Sequence, residues 1–257
     1  MPRKRADFSE FSYGYALTSE LVDRYKLRQL GYPVFPSLTE EGKTGGGFDV
    51  KLPGLPLFFQ FKVPEILTGS RASEAPILGL PYYRMKLRPL KYSNQHNLLL
   101  ALEAAGNDVF YACPEINLPD QLNDAFINQT VEDRTWFFRP STFGGLDQEE
   151  HYVAYAFGAS AGIFRSPEPG ERLARVRGDA IFHRLLPERF RSPRPRQLTY
   201  ENLISEMLSI YAEQTGMLRD IVGRPAILHS DRSPEVAAAH LAQTLFDSQL
   251  LILPEPQ

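Results

Sequence analysis

The chain of 257 residues has one cysteine, one tryptophan and no long apolar run. The single cysteine, Cys113, excludes an internal disulfide framework and fits a reducing compartment. No apolar stretch approaches the roughly 18 residues that a membrane-spanning helix requires. The basic start, residues 1–5, lacks the apolar segment of a signal peptide. We therefore expect a soluble, cytoplasmic protein.

A strong net charge is also absent. The formal charge is −3, so the chain as a whole is not attracted to nucleic acid and any basic surface must be local. A hydrophobic content of 43% and a charged content of 23% are ordinary for a globular protein. The sequence shows no internal repeat and no low-complexity tract. These properties leave room for one domain or two.

Residues 45–50 and 56–63 are predicted to form the two strands of a hairpin. Because side chains alternate across a strand, Gln60 and Lys62 point to one face, and Phe59 and Phe61 to the other. An amide and an ammonium group in so apolar a strand are costly to bury unless they are paired or bind something. This strand is therefore the first candidate for a functional site.

Asp49 is expected to share a face with Gln60 and Lys62. If the hairpin turns over two residues, Pro53 and Gly54, Asp49 falls opposite residue 58; a three-residue loop would reverse that parity. A carboxylate, an amide oxygen and an ammonium group would then converge. That combination suits a hard divalent metal and an activated water.

The other patterns predict an α/β fold. A helical pattern covers about residues 9–30 and predicts one helix, or two with a break at Thr18 or Ser19. An edge strand at 32–38, a helix at 94–105 and a strand at 108–113 complete the surroundings of the hairpin, and residues 64–92 form a long connection. Strands at 135–138 and 151–157 follow, and helices at 199–218 and 233–250 come after an Arg- and Pro-rich connection. We expect a core at 1–165 and a C-terminal segment at 166–257 that either packs onto the core as one domain or stands apart.

The order of these elements, with Asp49 ahead of Gln60-Phe61-Lys62, resembles the PD-(D/E)XK nuclease superfamily over about residues 10–114. The resemblance implies a restriction-endonuclease-like core, a mixed sheet flanked by helices, with a C-terminal helical elaboration. In that family an Asp opens the second core strand and a Glu-x-Lys, or sometimes Gln-x-Lys, lies on the third. A glutamate on the first helix often completes the metal site.

Carried onto this chain, the resemblance implies a catalytic group of Asp49, Gln60, Lys62 and Glu20. Asp49, Gln60, Glu20 and the backbone carbonyl of Phe61 would hold Mg²⁺ or Mn²⁺, and Lys62 would orient the attacking water. The implied activity is metal-dependent hydrolysis of phosphodiester bonds in nucleic acid, with DNA favoured over RNA. The implied setting is prokaryotic restriction or anti-phage defence. Glu10 is a weaker candidate for the helix carboxylate.

A basic stretch at residues 82–92 supplies candidate nucleic-acid contacts. It holds four cations and no acid, interleaved with aromatic residues that can stack on bases. The predicted contacts are Tyr83, Arg84, Lys86, Arg88 and Lys91. The alternative is a solvated cationic loop.

Other functions compete with the nuclease. One is a catalytically silent nucleic-acid-binding or assembly subunit, and another is an α/β scaffold whose C-terminal helices bind a defence-system partner or a second copy. A phosphate-binding loop at residues 42–44 is disfavoured because a strand, not a helix, follows it. The apolar strand around Cys113 predicts a buried structural thiol. His96 is predicted to cap a helix or to lie on the surface, with a contact to the site as the alternative.

Overall fold

The chain folds into a mixed α/β structure with two sheets, and the predicted α/β class is confirmed at this level. The computed structural model describes residues 3–29, 54–70, 73–165, 170–185, 188, 199–216 and 233–254. The predicted edge strand at 32–38 and Asp49 lie outside these residues. No helix within the described ranges is long and apolar enough to cross a membrane.

Eleven strands and seven helices occur in the described residues. The strands are β1 (Arg3–Arg5), β2 (Arg28–Gln29), β3 (Gly54–Phe61), β4 (Glu65–Leu67), β5 (Tyr82–Leu87), β6 (Asp108–Pro114), β7 (Thr135–Phe138), β8 (His151–Tyr155), β9 (Ala161–Arg165), β10 (Glu171–Ala174) and β11 (Gln249–Pro254). The helices are α1 (Glu10–Tyr25), α2 (Ala75–Leu78), α3 (Gln95–Ala104), α4 (Pro119–Ile127), α5 (Gly178–Ala180), α6 (Tyr200–Thr215) and α7 (Pro234–Phe246).

The five-stranded sheet has the order β2-β11-β3-β6-β7. Strands β3 and β6 are parallel, and the chain reaches β6 through α3, while the other neighbours in this sheet are antiparallel. The six-stranded sheet, β1-β4-β5-β8-β9-β10, is antiparallel throughout. Strands β4 and β5 belong to this second sheet, so the predicted long connection at residues 64–92 is wrong; no clear period in that stretch indicated a strand.

The two faces of β3 belong to different cores. Phe58 packs in a large cluster that includes both sheets, α3, α6 and α7. Leu57 and Phe59 pack instead in a second cluster with α1. This alternation follows from the pleat of the strand, and it places α3 and α1 on opposite faces of the five-stranded sheet.

Helix α1 begins and ends by recognisable chemistry. Ser9 Oγ accepts a hydrogen bond from the backbone N–H of Ser12 at 3.0 Å, which satisfies one of the free donors of the first turn. Lys26 then adopts a left-handed conformation with φ 55° and stops the helix at Tyr25. The predicted helix to Leu30 is therefore too long.

The C-terminal segment differs most from its prediction. The helix predicted to reach residue 250 ends at Phe246, and the residues after it form β11, which inserts into the five-stranded sheet beside β3. An apolar run such as Leu250-Leu251-Ile252-Leu253 is too short to distinguish a helix end from a strand by its pattern. This run forms a strand because it pairs with β3, which lies about 190 residues earlier in the chain.

The predicted hairpin is wrong in its pairing. The antiparallel neighbour of β3 is β11, with Phe58 opposite Leu250 where the prediction placed Asp49. The other edge of β3 is taken by β6. A strand has only two edges, so the neighbour that approaches the Gln60 end of β3 comes from the C-terminal segment.

Candidate active site

The C-terminal end of β3 carries the predicted polar pair into a buried position. Gln60 is 2% exposed and Lys62 is 7% exposed. Gln60 lies on the α3 face, since its amide contacts Gln95 at the start of that helix. Phe61 lies on the α1 face, where its ring meets the Tyr13 ring edge-on at 5.9 Å. The predicted alternation along this strand is confirmed.

Four side chains form one hydrogen-bonded network at this point, which we call the β3 cluster: Gln60, Lys62, Gln95 and Asp247. Lys62 Nζ donates to Gln95 Oε1 at 3.1 Å. Gln95 Nε2 donates to Gln60 Oε1 and to Asp247 Oδ2, both at 2.7 Å. Gln60 Nε2 donates to the Phe61 carbonyl at 3.1 Å and to Asp247 Oδ2 at 3.3 Å.

Gln95 and Asp247, the two outer members of the β3 cluster, lie at the start of one helix and at the end of another. Gln95 opens α3, and Ser93 Oγ accepts a hydrogen bond from its backbone N–H at 3.2 Å. Asp247 ends α7 in a left-handed conformation with φ 50° and ψ 42°, two residues before the start of β11. Because β11 runs antiparallel to β3, the start of β11 meets the end of β3. Asp247 is solvent-exposed, so the buried pair has an accessible rim.

The ammonium group of Lys62 is incompletely compensated. Within the described residues its single hydrogen bond goes to a neutral amide, and no carboxylate lies within ion-pair distance. Burial lowers the pKa of Lys62, although the negative charges of Glu10 and Asp247 work in the opposite direction. The guanidinium of Arg88 adds to the lowering. A buried cation in this state favours an anionic ligand.

Glu20 does not join the β3 cluster, and its predicted role is wrong. Its carboxylate is 3% exposed and accepts a hydrogen bond from the Val131 backbone N–H at 2.7 Å. It also pairs with Arg24 at 2.8 Å. Burial raises the pKa of Glu20, with these partners opposing the shift. Helix α1 covers the face of the sheet opposite to Gln60, so this glutamate secures a loop there.

Glu10, the weaker candidate, lies closer to the site. It is the first residue of α1, and its charge raises the pKa of Lys62. Glu20 lies ten residues further along α1 than Glu10, and ten residues of helix span about 15 Å. This distance explains why the two carboxylates have different surroundings. Glu10, in the first turn, is therefore the glutamate of the two whose charge acts on Lys62.

The predicted nucleic-acid contacts divide into two groups. Tyr83 is buried and stacks on Tyr155 at 5.8 Å, and Arg84 is buried in an ion pair with Glu74 at 2.5 Å. These two side chains serve the interior, so their prediction as contacts is wrong. The side chains of Lys86, Arg88 and Lys91 are exposed.

The histidine and the cysteine near the site are structural. His96 is buried, with Nδ1 3.0 Å from the Tyr111 hydroxyl and Nε2 2.6 Å from the Gly144 carbonyl, so both predicted positions at a cap or on the surface are wrong. Cys113 is fully buried, and burial raises the pKa of its thiol, which confirms the structural prediction.

The oxygen atoms at the β3 cluster fit a hard divalent cation. The Gln60 amide oxygen, the Phe61 carbonyl and the Asp247 carboxylate are the ligand types that Mg²⁺ prefers. The Gln95 amide nitrogen already bridges two of these oxygens at 2.7 Å each, so a partial positive charge stands between them. No group of three or more His, Cys, Asp or Glu side chains among the described residues could hold a metal. A cation would therefore depend on amide and main-chain oxygens, with the Gln95 amide turned aside.

Sequence reasoning missed Gln95 and Asp247. Gln95 had a local signal, since it stands two residues after a serine that begins a helix. Asp247 had none, because its role depends on the pairing of β11 with β3.

A scan against models of known protein families and searches of curated proteins and of solved structures found no match to this chain.

Proposed function

We propose that the β3 cluster is the centre of a metal-dependent nuclease that hydrolyses phosphodiester bonds, with DNA as the favoured substrate. The observation that carries the proposal is the burial of Gln60 and Lys62 on one face at the end of β3. Beside them, the amide N–H groups of Gln60 and Gln95 link the Gln60 amide oxygen, the Phe61 carbonyl and the Asp247 carboxylate in one network. A buried lysine beside oxygen ligands matches the demands of phosphoryl transfer, which are charge neutralisation and positioning.

Each residue of the β3 cluster has a part in this chemistry. Gln60, the Phe61 carbonyl and a carboxylate would hold Mg²⁺ or Mn²⁺, which when bound lowers the pKa of a water ligand and polarises a phosphate oxygen. Lys62 has three N–H donors, and within the part of the chain that the structure describes one of them is used, on Gln95. The other two would serve the attacking water and a phosphate oxygen. Arg88 would meet the substrate backbone at the rim.

The arrangement of elements supports a restriction-endonuclease-like core as part of the proposal. The parallel strands β3 and β6, the helix α3 that leads into β6, and α1 on the opposite face agree with part of the order that the sequence resemblance implies. The strands β4 and β5, which precede α3, and the pairing of β11 with β3 depart from it. The same resemblance motivates a cytoplasmic role in restriction or anti-phage defence.

Incubation of the purified chain with supercoiled plasmid, linear DNA and RNA tests the activity. We expect cleavage with Mg²⁺ or Mn²⁺ and none with EDTA. Lys62→Ala serves as the catalytic control and Asp23→Asn, an exposed change on α1, as the neutral control. Equal cleavage by wild type and Lys62→Ala would assign the activity to a contaminant.

A silent nucleic-acid-binding or assembly subunit is the second candidate, because two features of the β3 cluster favour it. An amide, Gln60, stands where a carboxylate would bind a cation more strongly, and the Gln95 amide occupies the bridge between the oxygens. DNA binding that is independent of Mg²⁺, without cleavage, would support this function over the nuclease.

A further inference from the structure

The carboxylate closest to Gln60 among the described residues belongs to the C-terminal segment. Asp247 Oδ2 lies 3.3 Å from Gln60 Nε2 and 2.7 Å from Gln95 Nε2. It reaches this place because β11 fills the antiparallel edge of β3, so Asp247, two residues before the start of β11, stands beside the end of β3. The position results from strand pairing and is held by six paired residues.

Asp247 sits where an aspartate is unfavourable for the fold. Its φ of 50° is a left-handed conformation in which glycine is preferred and asparagine is the common second choice. It also ends α7, where the partial negative charge of the last carbonyls repels an anion. Both effects cost free energy of folding, and unfavourable local choices of this kind concentrate at functional sites.

The surroundings of Asp247 supply the other requirements of a ligand. The carboxylate is exposed, Gln60 and Lys62 are buried, and Gln95 Nε2 donates at 2.7 Å both to this carboxylate and to Gln60 Oε1. Gln243, one turn earlier in α7, donates to Asp247 Oδ1 at 3.4 Å and holds the second oxygen. The carboxylate is therefore positioned at both oxygens.

We propose that Asp247 supplies the metal-binding carboxylate of the β3 cluster, so that α7 and β11 are part of the functional centre. This inference rests on the proposed nuclease. It assigns to the C-terminal segment the role that sequence reasoning gave to Asp49. Removal of residues 233–254 would then abolish the site as well as a strand of the sheet.

Direct measurement of Mn²⁺ binding by calorimetry on the full chain tests the assignment. The variants are Asp247→Asn and Asp247→Gly, which remove the charge and place in the left-handed conformation a residue that suits it better. We expect each to melt no lower than wild type without metal. We expect each to bind Mn²⁺ at least about tenfold more weakly. Asp23→Asn, an exposed change on α1, is the matched comparison and is expected to bind Mn²⁺ as wild type does, and Asp49→Asn tests the rival assignment that the sequence resemblance implies.

The outcomes separate this inference from the proposed function. If wild type binds Mn²⁺ and cleaves DNA but Asp49→Asn loses both while the Asp247 variants keep them, the nuclease stands and the inference fails. If wild type neither binds Mn²⁺ nor cleaves, both fail. Loss of binding in the two Asp247 variants alone, with folding intact, supports the inference.

Discussion

Two buried charges in this molecule have opposite surroundings. Glu74 lies beside the six-stranded sheet with no exposed surface and accepts hydrogen bonds from five side chains: Arg84, Arg165, Tyr82, Tyr152 and Ser73. Lys62, at the end of β3, makes one hydrogen bond with the described residues, to a neutral amide. Burial alone would raise the pKa of Glu74, but its donors outweigh burial and hold that pKa far below its usual range. Burial lowers the pKa of Lys62, and the attraction of Glu10 and Asp247 does not cancel the effect.

The contrast teaches which buried charge belongs to the scaffold. A charge whose partners are complete is held by the fold and has no capacity left for a ligand. A charge with donors to spare, next to an exposed rim, retains the capacity to bind one. Glu74 therefore secures the six-stranded sheet, whereas Lys62 is available for chemistry.

Replacing Glu74 by Gln should have the largest effect on stability. The change leaves Arg84 and Arg165 without their carboxylate, and breaking a buried charge cluster costs about 3–5 kcal/mol. Denaturant unfolding of this variant and of Glu149→Gln, an exposed matched change expected to lie within about 0.5 kcal/mol of wild type, measures it. A loss below about 1 kcal/mol would place Glu74 with the ordinary surface charges.

Lys62→Ala should have the largest effect on activity and a small one on stability. Loss of the positioned donor is expected to slow cleavage by at least about 10²-fold. Lys62→Met keeps the apolar stem and removes the buried charge, so its free energy of unfolding should stay within about 1 kcal/mol of wild type or rise. Strong destabilisation by Lys62→Met would make Lys62 a structural cation like Arg84.

Acid should destabilise wild type more steeply than Glu74→Gln. Because the pKa of Glu74 is lowered by folding, its contribution is complete above the ordinary value of about 4.5 and is lost as the pH falls below it. Glu20 and Glu132 have raised pKa values and act in the opposite direction. Free energies of unfolding between pH 7 and pH 3 give the two slopes. Parallel curves for the two proteins would contradict the role assigned to Glu74.

Gln60→Glu should strengthen cation binding at the β3 cluster and leave the surroundings of Glu74 unchanged. A carboxylate at this position binds a divalent cation more strongly than an amide, so we expect cleavage to be kept or raised and Mn²⁺ to increase the melting temperature more than in wild type. Melting curves with and without Mn²⁺ measure this. If Gln60 only satisfies buried hydrogen bonds, the variant will instead be destabilised in both conditions.

Arg88→Ala should give the smallest effect, confined to binding. Loss of one phosphate contact is expected to weaken DNA binding a few-fold and to reduce the dependence of log affinity on log salt by about 1. Arg172→Ala, an exposed change on the edge strand β10, is the control and should leave both unchanged. Equal effects of the two substitutions would remove Arg88 from the site.

The local part of this architecture could be predicted from the sequence. The alternation around Gln60 and Lys62, the strand at Asp108–Pro114 and the helix that starts after Ser93 all follow from patterns within a dozen residues. The partner of β3 could not be predicted, because both hairpin pairing and β11 pairing satisfy the same period of two. Asp247 was missed for that reason, whereas Gln95 was missed although the helix start after Ser93 marks its position. Glu20 was misplaced because the face that α1 covers depends on long-range packing.

A crystal structure of the full chain with Mn²⁺, using the anomalous signal of the metal, tests the central claim most directly. We predict a peak in contact with the Gln60 amide oxygen, the Phe61 carbonyl and the Asp247 carboxylate, with the Gln95 amide turned away from its bridge. A crystal that holds Mn²⁺ elsewhere, or shows the Gln95 bridge intact at saturating Mn²⁺, would contradict the account.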